Sequence, residues 1–367
     1  TVLLCCLPGA SALSMGVCTS EPDDPYVAGP DSKKIDKAYR VHKLLMLGAG
    51  ESGKTTLFKQ LTTVYGTGFT TDERKEYGDI IRMNILESMQ NILKHYELLY
   101  ELKDPDLPKL RWNEDLLDAK EHILRAWDVV SLGRRLTAEI KAFWNEPAMR
   151  YVFDRRDEFQ VIDTAPHFLN RIDKIAAPDY LPSDDDILRC RARTTGIIEG
   201  KFTIKGEHFE VVDVGGQRNE RKKWIHHFET CRALLFVVAL SAYSQKLWED
   251  NRTNRMIEAI ELFDQVANSR WFQNTPIVLF LNKSDLFAEK IKTTPLTLCK
   301  AFSKYDGDPH DYTQTTEYLA DYFFNLDNTG KNLYIHLTCA TDRKLVEPIF
   351  ESLKDAVLEE SLAMAGM

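Results

Sequence analysis

The chain has 367 residues, 44% of them apolar, a formal net charge of -9 and a pI near 5.6; it can bury a sizeable core and is expected to form two domains rather than one. The acidic balance argues against broad binding to a nucleic-acid backbone, which needs a clustered basic surface, and no apolar run reaches the ~20 residues of a membrane-spanning helix. Seven scattered cysteines (Cys5, Cys6, Cys18, Cys190, Cys231, Cys299 and Cys339) show no paired metal-ligand spacing and read as mostly reduced, buried thiols of a cytosolic protein.

Thr1 to Ser14 reads as translated upstream sequence, with Met15 as the start. Met15-Gly16-Val17-Cys18-Thr19-Ser20 then fits an N-myristoylation pattern, with Cys18 placed to carry the second acyl group that stable anchoring needs. Pro22, Pro25, Gly29 and Pro30 break any helix, so residues 1–31 are expected to be a disordered tail. Asp31 to Arg40 is a short helical candidate.

Next comes the apolar run Val41 to Leu47, then Gly48-Ala49-Gly50-Glu51-Ser52-Gly53-Lys54-Thr55, then Thr56-Leu57-Phe58-Lys59-Gln60-Leu61. Strand, glycine-rich loop and helix in this order are the context a phosphate-binding P-loop requires. The glycines let backbone N–H groups curl around a β-phosphate at a helix N-terminus, Lys54 reaches toward the β/γ oxygens, and the Thr55 hydroxyl suits Mg²⁺.

Between Tyr65 and Cys190 the periodicity is helical. Ile81, Ile85, Met89, Ile92, Tyr96 and Leu99 mark one face of a long amphipathic helix. Further helices are predicted at Asp115 to Val130, Thr137 to Trp144 and Ala165 to Ile175. So long a stretch is no loop in a compact domain, and residues 66–190 read as an inserted all-helical domain. Pro178, Pro182 and Asp184-Asp185-Asp186 mark the return, the acidic run being read as a solvated turn and helix start.

Strands then resume at Ile197 to Ile204 and His208 to Val214, joined as a hairpin across Lys205-Gly206-Glu207, and at Ala233 to Leu240, Ile277 to Asn282 and Leu333 to Thr338. Helices at Asn251 to Val266 and Arg343 to Leu358 alternate with them, which implies a mainly parallel sheet covered by helices, with ligand beyond the carboxyl ends of the strands.

Four constellations carry chemistry. Asp213-Val214-Gly215-Gly216-Gln217 ends a strand with a carboxylate suited to Mg²⁺ through water, a glycine backbone where a γ-phosphate would lie, and an amide that can orient an attacking water by donating and accepting at once. Asn282-Lys283-Ser284-Asp285 addresses a base: Asp285 can accept two N–H bonds from guanine, which adenine cannot match, and Lys283 can lay its stem along the ring. Thr338-Cys339-Ala340-Thr341 offers backbone contacts to the guanine oxygen. Leu188 to Gly196 holds three arginines in five residues at the junction of the insertion and the second strand. A cation there could reach a γ-phosphate from within the chain, or the run is only a solvated linker.

Taken together, these motifs in this order resemble the α subunits of heterotrimeric G proteins, from about Ser32 to the C-terminus. The resemblance implies an α/β, Ras-like P-loop GTPase domain (residues 32–65 and 191–367) with a mainly parallel sheet, helices on both faces, and the helical domain inserted. It implies that Arg191 is a cis arginine finger, that Gln217 orients water, and that Thr55 and Thr194 ligate Mg²⁺. It also implies that Asp163, Thr164, Leu188 and Arg189 touch the nucleotide beside Gly48 to Thr56, Asp213, Gly216, Asn282, Lys283, Asp285, Cys339, Ala340 and Thr341. GTP/GDP, a βγ dimer, a G protein-coupled receptor, effectors and RGS-type accelerators are the implied ligands and partners, Arg218 to Trp224 being the segment that meets βγ or effector. Lipid at Gly16 and Cys18 would hold the chain at the cytoplasmic face of the plasma membrane. The segment before the P-loop is shorter than the family's, the end Glu360 to Met367 matches the receptor-reading tail only loosely, and Ser284 stands where a lysine is usual. A P-loop ATPase or phosphotransferase, and a GTP-dependent scaffold that does not hydrolyse, are the rival readings.

Overall fold

The computed structural model describes residues 41–110, 113–127 and 132–364, with side chains to Leu353. Gly16, Cys18, the 1–31 tail, the helical candidate Asp31 to Arg40, and Asp128 to Val130 of one predicted helix lie outside them. Among the described residues six strands form one sheet: β1 Val41–Leu47, β2 Ile197–Ile204, β3 Glu207–Val214, β4 Ala233–Ala239, β5 Ile277–Asn282 and β6 Leu333–Leu337. Their order is β2-β3-β1-β4-β5-β6. Every neighbouring pair is parallel except β2 with β3, which is the predicted hairpin. Lys205 and Gly206 turn it with φ of 47° and 85°, the two positive values a type I′ turn demands.

Twelve α-helices lie among the described residues, in chain order: α1 Lys54–Tyr65, α2 Thr71–Glu101, α3 Glu114–Arg125, α4 Arg134–Asn145, α5 Pro147–Asp154, α6 Ala165–Leu169, α7 Ile172–Ile175, α8 Asp184–Arg189, α9 Arg255–Ala267, α10 Ser284–Lys290, α11 Tyr312–Phe324 and α12 Arg343–Met364. None among the described residues is long and apolar enough to cross a membrane. Strand residues alternate between two clusters. Leu45 and Leu47, Val212 and Val214, and Leu234, Phe236 and Val238 pack with α9 and α11, whereas Leu44, Met46, Val211, Leu235 and Val237 pack with α1 and α12. Burial on both faces explains why these strands read as unbroken apolar runs. Each such side chain contributes roughly 1.5–3 kcal/mol.

A third cluster is built wholly from residues between Tyr77 and Cys190. The predicted stripe of α2 is its spine: Ile81, Ile85, Met89, Ile92, Tyr96 and Leu99 are all at most 2% exposed. Thr70 starts α2 with a capping box, accepting from Glu73 N–H while Glu73 accepts from its own. The predicted helix Ala165 to Ile175 is instead two short ones, α6 and α7, because the chain turns at Asn170 and Arg171.

The acidic run divides. A helix does start at this run, as predicted, with Ser183 as its cap, but Asp186 is not solvated; it is 1% exposed and is bound by the Ser183 hydroxyl at 2.9 Å, by His167 at 2.8 Å and by the Arg171 guanidinium. Burial alone would raise the Asp186 carboxyl, yet the bonds from His167, Arg171 and Ser183 outweigh it and hold the group well below the usual carboxylate range. Asp186→Asn is therefore expected to cost about 3 kcal/mol near neutral pH. Since the folded-state pKa is depressed, this stabilisation is full above the unfolded carboxylate value and is lost as pH falls through the folded one. Thermal melts of both proteins should show the gap between them closing as pH drops below about 4.

Candidate functional site

The parallel strands β1, β3, β4, β5 and β6 present their carboxyl ends along one edge, and the sequence motifs lie there: the P-loop after β1, Asp213 near the end of β3, Asn282 ending β5 and Cys339 after β6. An open cleft of about 310 Å³ runs beneath this edge, walled on its far side by Asp163, Thr164 and Leu188 to Thr194 of the helical segment and its junction. All the predicted nucleotide residues line it except Gly48, Ala49, Ser52 and Asp213, which lie directly behind its wall, Ala49, Ser52 and Asp213 being at most 3% exposed.

Two glycines fix the cradle. Gly53 sits at φ 104°, and a Cβ there would stand 2.1 Å from Asn282 Nδ2; Asn282 comes this close because its amide donates to the Ser52 carbonyl at 2.8 Å. Gly216 brings the segment after β3 onto the P-loop, where a Cβ would meet Lys54 Nζ at 2.2 Å. Lys54, 5% exposed, donates to the carbonyls of Gly48 and Ala49 at 3.0 and 2.9 Å. Burial pushes its ammonium down to about 8, so an anion in the cleft meets an incompletely compensated cation.

Thr55, Thr194 and Asp213 converge although 139 and 158 residues separate Thr55 from the other two. Thr55 Oγ1 is 2.6 Å from Thr194 Oγ1 and donates to Asp213 Oδ2 at 2.8 Å. Asp213 Oδ1 is buried with no partner. Burial raises the Asp213 carboxyl, and the nearby Lys54 lowers it only in part. Two hydroxyls and a carboxylate with one unpartnered oxygen form an all-oxygen set of the type a hard divalent cation takes, so the residues fit Mg²⁺. Gln217 lines the cleft beside them, and its Oε1 is likewise buried and unpartnered.

At the other end Asp285, an exposed carboxylate in the first turn of α10, lines the cleft with Cys339, Ala340 and Thr341. The Asn282 amide is occupied on both sides, accepting from Ala340 N–H at 2.9 Å and donating to Ser52, so it ties this end of the cleft to the P-loop. Lys283 holds φ 60°, a left-handed conformation costly for a side-chain residue, and its ammonium pairs with Asp163 at 2.8 Å. Burial would raise the Asp163 carboxyl, but Lys283, Lys290 and Arg255 hold it far below its usual range. The two sides of the cleft are further joined by Lys290 to Asp157 at 2.5 Å and by Arg255 to Gln160 at 2.9 Å.

Arg191 lies in the cleft wall with its guanidinium 2.8 Å from Glu51. Arg218 and Arg221 each pair with Glu258 of α9 at 2.6 Å, and Trp224 donates to the Gly215 carbonyl at 2.9 Å, so the segment after β3 is pinned. Sequence reasoning missed Asn84, Glu258, Arg255, Asp157, Lys290 and Trp248. Asn84 shares the inward face of α2 with Ser88 and His95, so its position alone did not single it out; the others act across long sequence separations that no local pattern records.

This fold and this cleft define a P-loop GTPase with an inserted helical domain. The sequence matches the G-protein alpha subunit family over residues 29–357. It is 42% identical over 362 residues to a guanine nucleotide-binding protein alpha-3 subunit of Caenorhabditis elegans, covering 96% of this chain and all of the relative. It is 41% identical over 352 residues to a guanine nucleotide-binding protein G(o) subunit alpha of Locusta migratoria, covering 92% of this chain and 96% of that one. The chain belongs to the G-protein α-subunit family: it is a guanine-nucleotide-binding signalling switch and a GTPase.

Proposed function

We propose that the chain cycles between GTP and GDP states through the residues gathered in this cleft, within a Ras-like domain of residues 32–65 and 191–367 and a helical domain of residues 66–190. The observation that carries the reading is the convergence of Thr55, Thr194 and Asp213. One point joins the P-loop, the arginine-bearing junction and the end of β3, from which the Gly215 to Trp224 segment leaves, so a ligand there can order all three. Thr55 and Thr194 would hold Mg²⁺ with Asp213 behind them; when bound, the ion neutralises charge developing on the β- and γ-phosphate oxygens. Backbone N–H groups of Gly48 to Thr56 and the Lys54 ammonium hold the phosphates. Gln217 accepts a proton-bearing edge of the attacking water through its unpartnered Oε1 and donates through its Nε2. Arg191 brings a cation to the transferring phosphoryl group, a role known for the family and carried over from it. Hydrolysis then releases the Arg191 to Thr195 and Gly215 to Trp224 segments.

Partners follow from the same segments. Arg218 to Trp224 is the surface for a βγ dimer in the GDP state and for an effector in the GTP state, with receptor-driven exchange and RGS-type acceleration acting on the cleft from outside. Lipid on Gly16, once Met15 is the start, and on Cys18 would give peripheral attachment to the cytoplasmic face of the plasma membrane.

Single-turnover release of phosphate from γ-labelled GTP, with and without Mg²⁺ and beside ATP, tests the reading. Release from GTP alone and only with Mg²⁺ supports it; tight GTP binding without release would favour a non-hydrolysing scaffold, and release from ATP a P-loop ATPase or phosphotransferase. Asp285→Ala should weaken GDP binding by about a hundredfold, since two hydrogen bonds to a charged acceptor are lost, and should leave ADP binding as weak as before. Competition titrations of the two nucleotides read this directly.

A further inference from the structure

Arg191 is held at three points. Asn84 of α2 clamps its backbone, accepting from the Arg191 N–H at 2.9 Å and donating to its carbonyl at 3.1 Å. Glu51 of the P-loop accepts from its Nε at 3.0 Å and lies 2.8 Å from its Nη2. The third neighbour is the ring of Trp248, whose centroid is 4.1 Å from the guanidinium carbon. Glu51 is not at liberty to follow the arginine elsewhere. Its other oxygen pairs with Arg255 at 2.8 Å, and Arg255 is itself fixed by Gln160 at 2.9 Å and by the Lys246 carbonyl at 2.7 Å.

Trp248 lies between the Leu240–Ser244 helical turn and α9, in a loop closed by the Lys246–Asn254 bridge. This loop passes over the P-loop, for the next residue, Glu249, would touch a Cβ on Gly50 at 3.6 Å. The indole N–H is buried without an acceptor. Leaving such a donor unpaired costs free energy, so no hydrogen bond places the ring; what the indole offers here is its face, and a guanidinium occupies it. A guanidinium already paired with a carboxylate carries little net charge toward a phosphoryl group. To act on the γ-phosphate it must leave Glu51, and it must give up the ring contact as well.

We infer that Trp248 and Glu51 form a resting berth for the Arg191 side chain, and that Trp248 is a positioning residue that slows basal GTP hydrolysis by competing with the γ-phosphate for that arginine. The inference rests on the reading of Arg191 as the cis cation. The ring contact, being partly desolvated, sets the size of the effect at about three- to thirtyfold in rate.

The test is single-turnover phosphate release from GTP, with GTP affinity measured in parallel, for Trp248→Ala, Trp248→Leu and Trp248→Phe, each also combined with Arg191→Ala. Alanine and leucine remove the π face, leucine keeping apolar cover should the alanine protein fail to fold. Both should speed hydrolysis by about fivefold at unchanged affinity. Phenylalanine retains a face and should stay within about twofold of wild type. On the Arg191→Ala background none of the three should change the residual rate. Unchanged or slower hydrolysis in the alanine and leucine proteins, or a gain that survives loss of Arg191, overturns the berth. If Arg191→Ala alone hydrolyses at the wild-type rate, the cis-cation reading fails and the berth with it; an inactive Arg191→Ala beside an unaltered Trp248→Leu removes the berth alone.

Discussion

Arg191→Ala is expected to lower single-turnover GTP hydrolysis by about a thousandfold, on the scale carried over from G-protein α subunits with their arginine in cis, while GTP affinity stays within about threefold of wild type. The separation of the two effects follows from where the side chain sits. Its charge is spent on Glu51 at 2.8 Å and its face on Trp248, so ground-state binding gains little from it. Only when charge spreads over the equatorial oxygens does a phosphoryl group outbid the Glu51 carboxylate, and an interaction made only then appears in the rate and not in the affinity. Lysine should not rescue, because a compact ammonium lacks the planar fork that meets two oxygens at once. Removal of Arg191 also leaves Glu51 paired with Arg255 at 2.8 Å, so no carboxylate is stranded and the fold should survive. A parallel loss of GTP affinity would instead assign Arg191 to nucleotide binding.

The same arginine shows how far the sequence could be read. Three arginines in five residues left a solvated linker and a catalytic cation both open, and only the family resemblance pointed to Arg191. What singles it out physically is Asn84, which is 107 residues away and grips its backbone from both sides. By contrast the P-loop, the Asp213 to Gln217 segment and the Asn282 to Asp285 segment were legible because each stands at a strand end, where turn chemistry and backbone geometry are dictated locally. The sheet was legible for a related reason: strands buried on both faces read as apolar runs, and the bounds predicted for β1, β2 and β5 are those observed. Short helices were the least legible. α10 has only seven residues and starts from a left-handed Lys283, a conformation chosen by the cleft rather than by propensity. Asp186 was misjudged because its partners, His167 and Arg171, come from another helix and the turn after it.

Gln217→Leu should leave folding and GTP affinity intact and reduce hydrolysis by about a hundred- to a thousandfold, the usual consequence of removing a positioned polar group from a developing charge. Leucine is close to glutamine in volume, and the Gln217 Oε1 is buried without a partner, so the substitution strands no group on the protein; if anything it removes an unpaired acceptor. What it takes away is a neutral amide beside Gly216 that can accept from a water and donate to it at once. Gln217→Glu makes the complementary case. It keeps an acceptor of similar shape but adds a negative charge where the γ-phosphate would lie, and it should lose affinity as well as rate. The double variant Gln217→Leu/Arg191→Ala provides the sharper test of a shared transition state. If the amide and the guanidinium serve the same phosphoryl group, the second substitution should cost much less than its separate effect, because the first has already raised the barrier both act on. Fully multiplicative losses, about a hundred-thousand- to a millionfold or beyond the limit of detection, would mean that the two residues contribute independently rather than as one unit around the phosphoryl group.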